Sequence, residues 1–509
     1  MTYAAHIAIG LTLLPLVAAA LASLGAEPAS GYAWWWGTPR GWSILLRTFV
    51  FAGGAAVFGT VTGCFIAAAA ARANRPLAAL FIAIACVPLL LPSSLLGTAW
   101  IMAAGRAGWL TQATGWPWTV YHTPIAAAVI GLRYCGVAAL MTMAQCRRQA
   151  EPDAAQLAFD LPLRRRLLHL RLRPLTRPLL AAWLLLVVLC ANDHILPGMF
   201  LVTTYGTQAL IEQNALLNQA GAAALAIPPM LLMLGFSAVA IRLAWRRFPA
   251  TDRLALASSR SAVGPALRVL PILCIAVGLP LVALAVRAGS WVAVREAWAA
   301  CAPERWRTWM LAMVGGPLCA IVAAAPVAHW LTRRRHGETS TAPVLLVLLV
   351  APASLLATGV IVLADRAPLR PFRDTDLPLM LGYLCRFTPI AGLLLAAAWS
   401  RVPSSALDAA RAHGLGAWRT LRALVVPLHG PGFLAAAALS AMLIATDLEL
   451  SLMLAPPGVT TLGVRLYSMI HTAPDALVSA AALATAGAVV VPFAIVAAGA
   501  ALWSRDRHA

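Results

Sequence analysis

Five charged residues lie within long apolar stretches of this 509-residue sequence. They are Arg133, Asp193, Arg386, Asp447 and Glu449. An arginine near the centre of a bilayer costs about 2.5–3.5 kcal/mol on insertion scales, so it normally has a charged partner or faces water. A guanidinium also stays protonated under physiological conditions, so deprotonation cannot neutralise it. Two ionic roles are therefore open: ion pairs that fix the packing of neighbouring segments, or charged groups along a route for a polar solute.

Residues for other kinds of chemistry are few or poorly spaced. The nine cysteines lie singly and form no C-x-x-C pair, which is typical of apolar packing rather than of disulfides or a zinc site. Five histidines lie at the ends of apolar stretches or in loops: His6, His122, His169, His413 and His429. The sequence therefore predicts no catalytic residue, no metal site and no cofactor in this chain.

All 38 basic residues are arginine, and the sequence contains no lysine. A Walker A phosphate loop needs a lysine that reaches the nucleotide phosphates. A Schiff base needs a lysine amine. Neither can form here, so if ATP drives this protein, another chain must bind the nucleotide.

Composition indicates a protein built from membrane-spanning segments. Hydrophobic residues make up 61% of the chain, charged residues 11%, and the mean hydropathy is +0.81. A soluble domain carries roughly 25% charged residues. The composition therefore excludes a soluble enzyme, a disordered protein and a nucleic-acid-binding protein, despite a net charge of +20.

Twelve apolar stretches approach or exceed the roughly 20 residues that a helix needs to cross a bilayer. They are residues 7–24, 44–71, 77–104, 123–144, 179–200, 220–241, 269–286, 309–331, 343–364, 377–399, 433–455 and 477–502. We interpret the first as an uncleaved span. Only helices and closed barrels satisfy backbone polar groups in lipid, and these stretches are too long for barrel strands. The predicted fold is all-α and polytopic.

The arginines predict the orientation of these spans. With a cytoplasmic N-terminus, the inner loops and termini carry 25 arginines, the outer segments and outer span ends carry 11, and two lie deep within spans. The positive-inside rule counts basic residues in this way, and it places both termini in the cytoplasm. Trp34, Trp35, Trp36 and Trp42 then lie at the outer interface, which favours indole side chains.

Short polar and proline anchors recur in the same order, which predicts an internal duplication. The matched positions are Arg47-Thr48 with Arg307-Thr308, Pro92 with Pro352, Arg133 with Arg386, Pro174 and Pro178 with Pro427 and Pro431, and Asp193 with Asp447. We predict two halves, residues 1–262 and 263–509, with six spans each. Because six is even, the halves run in parallel, and the predicted pathway lies at their interface.

The inner segment before the eleventh predicted span has the features of a short surface helix. Ser405 and Asp408 are spaced as in a capping box, and Gly414 supplies a helix stop because glycine accepts the left-handed conformation. The residues whose helical spacing predicts a second short helix are Trp418, Leu421 and Val425. By composition alone, the segment also fits an ordinary amphipathic surface loop.

In this segment, Asp408-Ala409-Ala410-x-x-x-Gly414 resembles the E-A-A-x-x-x-G signature of ABC importer permeases, with aspartate in place of the usual glutamate. Residues 447–467 are similar to the fused permeases of the ferric-iron and thiamine uptake branch, closest to the iron type. The first half departs further from the signature. There Asp153-Ala154-Ala155 begins in the same way, but residues 159–161 occupy the places where glycine is expected.

The resemblance extends over the whole chain and implies a type I ABC importer permease fold in a bacterial inner membrane. It implies that the signature loops dock on two copies of a cytoplasmic ATPase. A periplasmic or lipid-anchored binding protein would deliver a small solute, which ferric iron would fit. Alternating access would then move the solute inward. No nucleic-acid partner is implied, and the chain itself would not be an enzyme.

Two other classes compete with this interpretation. A secondary transporter of the major facilitator type would carry an acid and glycines in the loop after its second span, where this chain has Arg72-Ala-Asn-Arg75-Pro. A membrane-embedded enzyme would need a polar cluster within the spans, such as a histidine pair with a carboxylate. Dependence of transport on ATP hydrolysis separates the permease from both.

Overall fold

The computed structural model describes residues 2–26, 31–115, 117–149, 173–245, 263–333, 347–400 and 402–506. Within these ranges the chain forms helices joined by short connections, and no β-strand is present. The long helices are α1 (Thr2–Leu24), α3 (Pro39–Ala70), α4 (Arg75–Leu90), α7 (Thr123–Gln149), α8 (Arg173–Asn192), α11 (Gln219–Trp245), α15 (Ala302–Arg333), α17 (Leu377–Trp399), α20 (Val426–Ala445) and α23 (Asp475–Asp506).

Shorter helices connect or extend the long ones. They are α2 (Tyr32–Gly37), α5 (Ser93–Ala104), α6 (Trp109–Thr114), α9 (Ile195–Met199), α10 (Tyr205–Leu210), α12 (Val263–Leu273), α13 (Leu279–Ala288), α14 (Trp291–Ala300), α16 (Ala353–Ala364), α18 (Ser404–Ala412), α19 (Ala417–Thr420), α21 (Glu449–Leu454) and α22 (Leu462–Thr472). Three π-helical segments, Ile211–Ala215, Cys274–Gly278 and Leu421–Val425, lie between them.

The all-helical polytopic fold is confirmed. Among the described residues, nine helices are long and apolar enough to cross a membrane, and a bent pair of helices makes a tenth candidate. The two remaining predicted spans contain shorter apolar helices, Ala353–Ala364 and Gly430–Ala445. The count of twelve therefore stays a prediction.

Four predicted spans are not continuous helices in their described residues, and that part of the sequence interpretation is wrong. The stretch 343–364 breaks at Ala351 and Pro352, just before α16. The stretch 77–104 bends by 98° between its two helices, because Leu91 is extended (ψ 140°) before Pro92, as a residue preceding proline tends to be. The stretch 179–200 breaks after α8, and the stretch 433–455 breaks after α20. Hydropathy windows report apolarity and do not detect such breaks.

The described helices group into two compact units. Unit 1 comprises Met1–Ser43, Gln208–Leu234 and Cys301–Arg465, and unit 2 comprises Ile44–Thr207, Gly235–Ala300 and Leu466–Ala509. Each unit thus combines segments of both predicted halves. The predicted boundary at residue 262 lies outside the described residues, and the division into duplicated halves stays a prediction.

Unit 2 is packed through small residues. A Cβ atom added to Gly59 in α3 would lie 2.6 Å from the Gly131 carbonyl oxygen in α7, and one added to Gly136 would lie 2.7 Å from the Ala85 carbonyl oxygen in α4. Small residues allow helix backbones to approach this closely within a membrane. They hold α7, the helix that carries Arg133, tightly between its neighbours.

Small residues also allow close helix packing in unit 1, around α15, α17 and α20. A Cβ atom on Gly316 would lie 2.6 Å from the Ala437 carbonyl oxygen. Helix α1 packs on α16, and Gly359 leaves no room for a Cβ atom against the Pro15 backbone. The N-terminal helix is therefore packed with helices from the C-terminal part of the chain.

Two of the sequence anchors adopt the same local geometry in their separate units. In unit 2 the Thr48 hydroxyl accepts a 2.9 Å hydrogen bond from the Tyr205 amide, and in unit 1 the Thr308 hydroxyl accepts a 2.8 Å bond from the Leu462 amide. Pro92 and Pro352 each precede a buried helix of 12 residues. The hydrogen bonds of Thr48 and Thr308 fix the segments that follow the broken spans 179–200 and 433–455.

Candidate functional site

The broken span 179–200 places Asp193 in the gap between two helices. Helix α8 ends at Asn192 and α9 begins at Ile195. The Asp193 carboxylate accepts a 3.3 Å hydrogen bond from the Leu196 amide. An acceptor at this position satisfies an amide that a helix start leaves without an intrahelical partner. The aspartate therefore starts the short helix as well as carrying charge.

The broken span 433–455 repeats this arrangement at Asp447. Helix α20 ends at Ala445, and α21 begins at Glu449. The Asp447 Oδ2 atom accepts hydrogen bonds from the amides of Leu450 (2.9 Å) and Ser451 (3.3 Å). The carboxylate again stabilises the first turn of the helix that follows the break.

Each of these aspartates lies beside an intramembrane arginine of the same unit. In unit 2 the Arg133 Nε atom is 3.6 Å from Asp193 Oδ2, and their side chains are 10% and 3% exposed. The Tyr134 hydroxyl donates a 3.2 Å hydrogen bond to the same carboxylate oxygen. Within the described part of the chain, Arg133 Nε and Nη1 donate no hydrogen bond. These two buried nitrogens are therefore balanced by the charge of Asp193 rather than by a hydrogen bond.

In unit 1 one arginine meets two acids. Arg386 Nη1 is 3.6 Å from Asp447 Oδ1, and Arg386 Nη2 contacts Glu449 Oε2 directly. The Arg386 side chain is 26% exposed, whereas the two acids are 3% and 7% exposed. With these three groups ionised, the cluster carries one net negative charge, while the pair of Arg133 and Asp193 is neutral.

The structure thus brings all five predicted intramembrane charges into ion pairs, one cluster in each unit. Sequence reasoning missed the polar neighbours that complete the second cluster. The Tyr383 hydroxyl lies 2.7 Å from Ser451 Oγ, and Ser451 Oγ donates a 3.0 Å hydrogen bond to the Asp447 carbonyl. The sequence does contain a signal for this contact, because Ser451 follows Asp447 by about one helical turn. Whether the charges line a pathway stays a prediction.

The predicted surface helix before α20 is present as α18. Its residue Gly414, just beyond the end, has φ +69°, and the Leu415 amide donates a 2.9 Å hydrogen bond to the Ala410 carbonyl. This bond and the left-handed glycine form a Schellman-type helix end. Ala410 is buried, Asp408 half-buried and Ala409 exposed, so the signature residues lie on different faces of the helix.

Two details of this segment differ from the sequence interpretation. Ser405 does not cap α18, because the Pro403 carbonyl accepts the first intrahelical hydrogen bond and the helix includes Ser404. The predicted second short helix is not separate either. Helix α19 continues through the π-helical turn Leu421–Val425 into α20, because the backbone stays right-handed helical throughout. The corresponding first-half residues Asp153, Ala154 and Ala155 lie outside the described residues.

Together these features define a polytopic all-helical membrane protein with paired charges inside the apolar part and a glycine-ended surface helix. Residues 315–505 match the model of a family described as binding-protein-dependent transport system inner membrane component. No curated protein and no solved structure matches the chain. The matched region includes α18, Gly414 and the cluster of Arg386, Asp447 and Glu449. The C-terminal part is therefore similar to a transport permease rather than to an enzyme.

Proposed function

We propose that this protein is the membrane permease of an ATP-driven importer that receives a small solute from a binding protein. The observation that carries the proposal is the family match over residues 315–505, together with the glycine-ended helix α18 inside that region. The long apolar helices supply the membrane domain. The absence of lysine excludes a Walker A loop from the chain and supports nucleotide binding by a separate ATPase subunit.

The proposed chain contains both permease halves, 1–262 and 263–509, in parallel orientation. The support is local and comes from positions 253–260 residues apart in the sequence. Thr48 and Thr308 accept equivalent backbone hydrogen bonds, and Asp193 and Asp447 cap equivalent helix starts beside an arginine. Two copies of the ATPase then bind one chain, one at each half, on its cytoplasmic side.

The proposed contact for the ATPase in the second half is α18 with its glycine turn. Leu407 and Ala410 are buried and attach one side of the helix to the protein, while Ala409, His413 and Gly414 are exposed. An attached helix with an exposed end can transmit movement of a bound subunit to α20, because α19 and the π-helical turn continue into that helix. Helix α20 leads directly to Asp447.

The test is reconstitution of the chain in proteoliposomes with a candidate ATPase and binding protein. We expect solute uptake only with ATP and the binding protein present, and ATPase activity that rises when the loaded binding protein is added. Uptake driven by an ion gradient without the ATPase would contradict the proposal and favour a secondary transporter. Mass spectrometry of the ligand carried by the co-purified binding protein tests the proposed iron branch.

A further prediction compares the two proposed ATPase-docking loops, residues 152–163 and 405–415. The first loop lacks a glycine that corresponds to Gly414. Alanine replacement across residues 405–415 is expected to reduce co-purification of the ATPase more than replacement across residues 152–163. Pull-down with the tagged ATPase measures both variants against wild type, after each has been shown to insert in the membrane at normal levels. Equal losses would contradict the predicted asymmetry, and the reverse order would place the stronger contact in the first half.

A further inference from the structure

A pocket of about 540 Å³ lies within unit 1, and none of its lining residues is one of the paired intramembrane charges. Its aromatic, charged and amide lining residues are Trp34, Trp35, Arg40, Gln208, Glu212 and Asn218. They come from two chain segments that the predicted topology places on the outer side. The volume falls within the range of about 300–1,000 Å³ that is typical of small-ligand pockets.

Glu212 supplies a buried carboxyl group to this pocket and is only 6% exposed. Gln208 Nε2 donates a 3.4 Å hydrogen bond to Glu212 Oε1, and Asn218 Nδ2 donates a 3.3 Å bond to Oε2. No ion pair joins Glu212 to Arg40 or to any other described residue. A buried carboxylate is costly without a cation, and its oxygens here keep acceptor capacity. The position therefore favours a cation that donates hydrogen bonds.

The aromatic wall is fixed before any ligand arrives. Trp36 Nε1 donates a 3.0 Å hydrogen bond to the Ala224 carbonyl, and Trp42 Nε1 donates a 2.9 Å bond to the Trp36 carbonyl. Gly41 allows the chain to turn here, because a Cβ atom would collide with the Trp35 carbonyl. Trp36 and Trp42 do not line the pocket, but their bonds fix the segment that carries the lining residues Trp34 and Trp35. The pocket thus presents two indole rings, which attract cations, at little ordering cost.

Arg40 adds the opposite charge at the exposed rim. Its guanidinium lies 5.5 Å from the centroid of the Trp35 ring, and the residue is exposed. A simple cation would meet repulsion from this guanidinium on entering. A zwitterion avoids the conflict, because its ammonium group can pair with Glu212 while its anionic group faces Arg40.

We propose that this pocket binds a zwitterion in which an ammonium group is carried next to a phosphate. Phosphoethanolamine has this chemistry, either as a free solute or as the headgroup of an ethanolamine phospholipid. The ammonium group binds between Glu212 and the indole rings, and the phosphate lies at Arg40. Its lining residues include none of the proposed pathway charges, and its test needs neither ATPase nor binding protein.

For the free solute, phosphoethanolamine is titrated into the purified full-length chain by isothermal calorimetry. We expect saturable binding to wild type and at least about tenfold weaker binding to Glu212→Gln, since one lost charge-assisted contact corresponds to that factor. Glu296→Gln, at an exposed carboxylate of α14, is the matched control and binds like wild type. Ethylene glycol monophosphate, which lacks the ammonium group, binds wild type weakly and keeps the test valid if Glu212→Gln fails to fold.

For the lipid, the chain is placed in nanodiscs of phosphatidylethanolamine mixed with phosphatidylglycerol, and native mass spectrometry identifies the lipids that remain bound. Retention of phosphatidylethanolamine that Glu212→Gln abolishes, without binding of free phosphoethanolamine, assigns the site to a lipid headgroup. Calorimetric binding of the free compound assigns it to a solute. Absence of both, or equal binding by wild type and Glu212→Gln, overturns the proposal.

Discussion

Replacing Arg386 with leucine is expected to destabilise the protein strongly, because it leaves the acids Asp447 and Glu449 buried without their cation. Their side chains are 3% and 7% exposed. Removing one partner of a buried ion pair costs about 3–5 kcal/mol. Because the arginine side chain is 26% exposed, we expect a loss of stability at the lower end of this range. Thermal unfolding of the purified chain, compared with wild type in the same detergent, measures the loss.

A second substitution at Asp447 or at Glu449 is expected to restore different amounts of the stability that Arg386→Leu loses. Asp447 also accepts the amides of Leu450 and Ser451, so Asp447→Leu removes a charge but leaves those donors unsatisfied. Glu449→Gln removes the charge of the acid that contacts Arg386 Nη2 and keeps a side-chain acceptor oxygen. Arg386→Leu with Glu449→Gln should therefore recover more stability than Arg386→Leu with Asp447→Leu. Asp447→Asn, which keeps an acceptor oxygen, should fall between them.

Arg373→Leu is the matched control, since Arg373 Nη1 lies 2.7 Å from Asp365 Oδ1 and their side chains are 56% and 41% exposed. An exposed pair of this kind contributes about 0–1 kcal/mol, so this variant should unfold close to wild type. If instead Arg386→Leu stays stable and assembles with an active ATPase but does not transport, the cluster lines the pathway. A variant that is both stable and fully active would exclude a structural role and a pathway role alike.

Unfolding and transport measurements on Arg133→Leu test whether the two charge clusters have different roles. Arg133 is only 10% exposed and meets one acid, Asp193. Its pair is neutral, whereas the cluster around Arg386 carries an extra negative charge. A cationic solute would be attracted to the second cluster and not to the first. The first cluster is the better candidate for a purely structural pair, and Arg133→Leu should reduce stability without a separate effect on transport.

The pairing of these charges could be predicted from the sequence, because a permanently charged arginine in an apolar span requires a balancing group. The choice of partner follows from depth, because the fourth and fifth predicted spans of each half place an arginine and one or two acids at neighbouring depths. The interruption of the spans at Asp193 and Asp447 could not be predicted in this way. It depends on backbone geometry, in which a carboxylate accepts the amides of a new helix start, and hydropathy carries no information about that.

Local turn chemistry was predictable where one residue determines it. Gly414 has the left-handed conformation that a helix stop requires. This turn could be predicted because it depends only on glycine and its neighbours along the chain. The pocket at Glu212 was not predictable, because Trp34 and Glu212 are far apart in sequence and neither segment carries a motif. Only the fold brings the indoles and the carboxyl group together.

Gly414→Val is expected to abolish transport while leaving membrane insertion normal. Gly414 has φ +69°, and a Cβ atom added there would meet nothing within 4 Å. The penalty is therefore conformational, on the order of 1 kcal/mol or more for a β-branched residue in this region. The turn should relax to another geometry, moving the exposed end of α18. Co-purification with the ATPase and ATP-dependent uptake in proteoliposomes measure the effect.

Gly416→Val supplies the control, since Gly416 lies two residues further on, also has no atom within 4 Å of an added Cβ, and does not have a left-handed φ. It should bind the ATPase and transport like wild type. Gly414→Asn should keep partial activity, because asparagine tolerates the left-handed conformation better than valine. Wild-type transport by Gly414→Val would mean that α18 does not couple to the ATPase. Equal losses in Gly414→Val and Gly416→Val would instead mean that added side-chain bulk, rather than the left-handed turn, disturbs the docking surface.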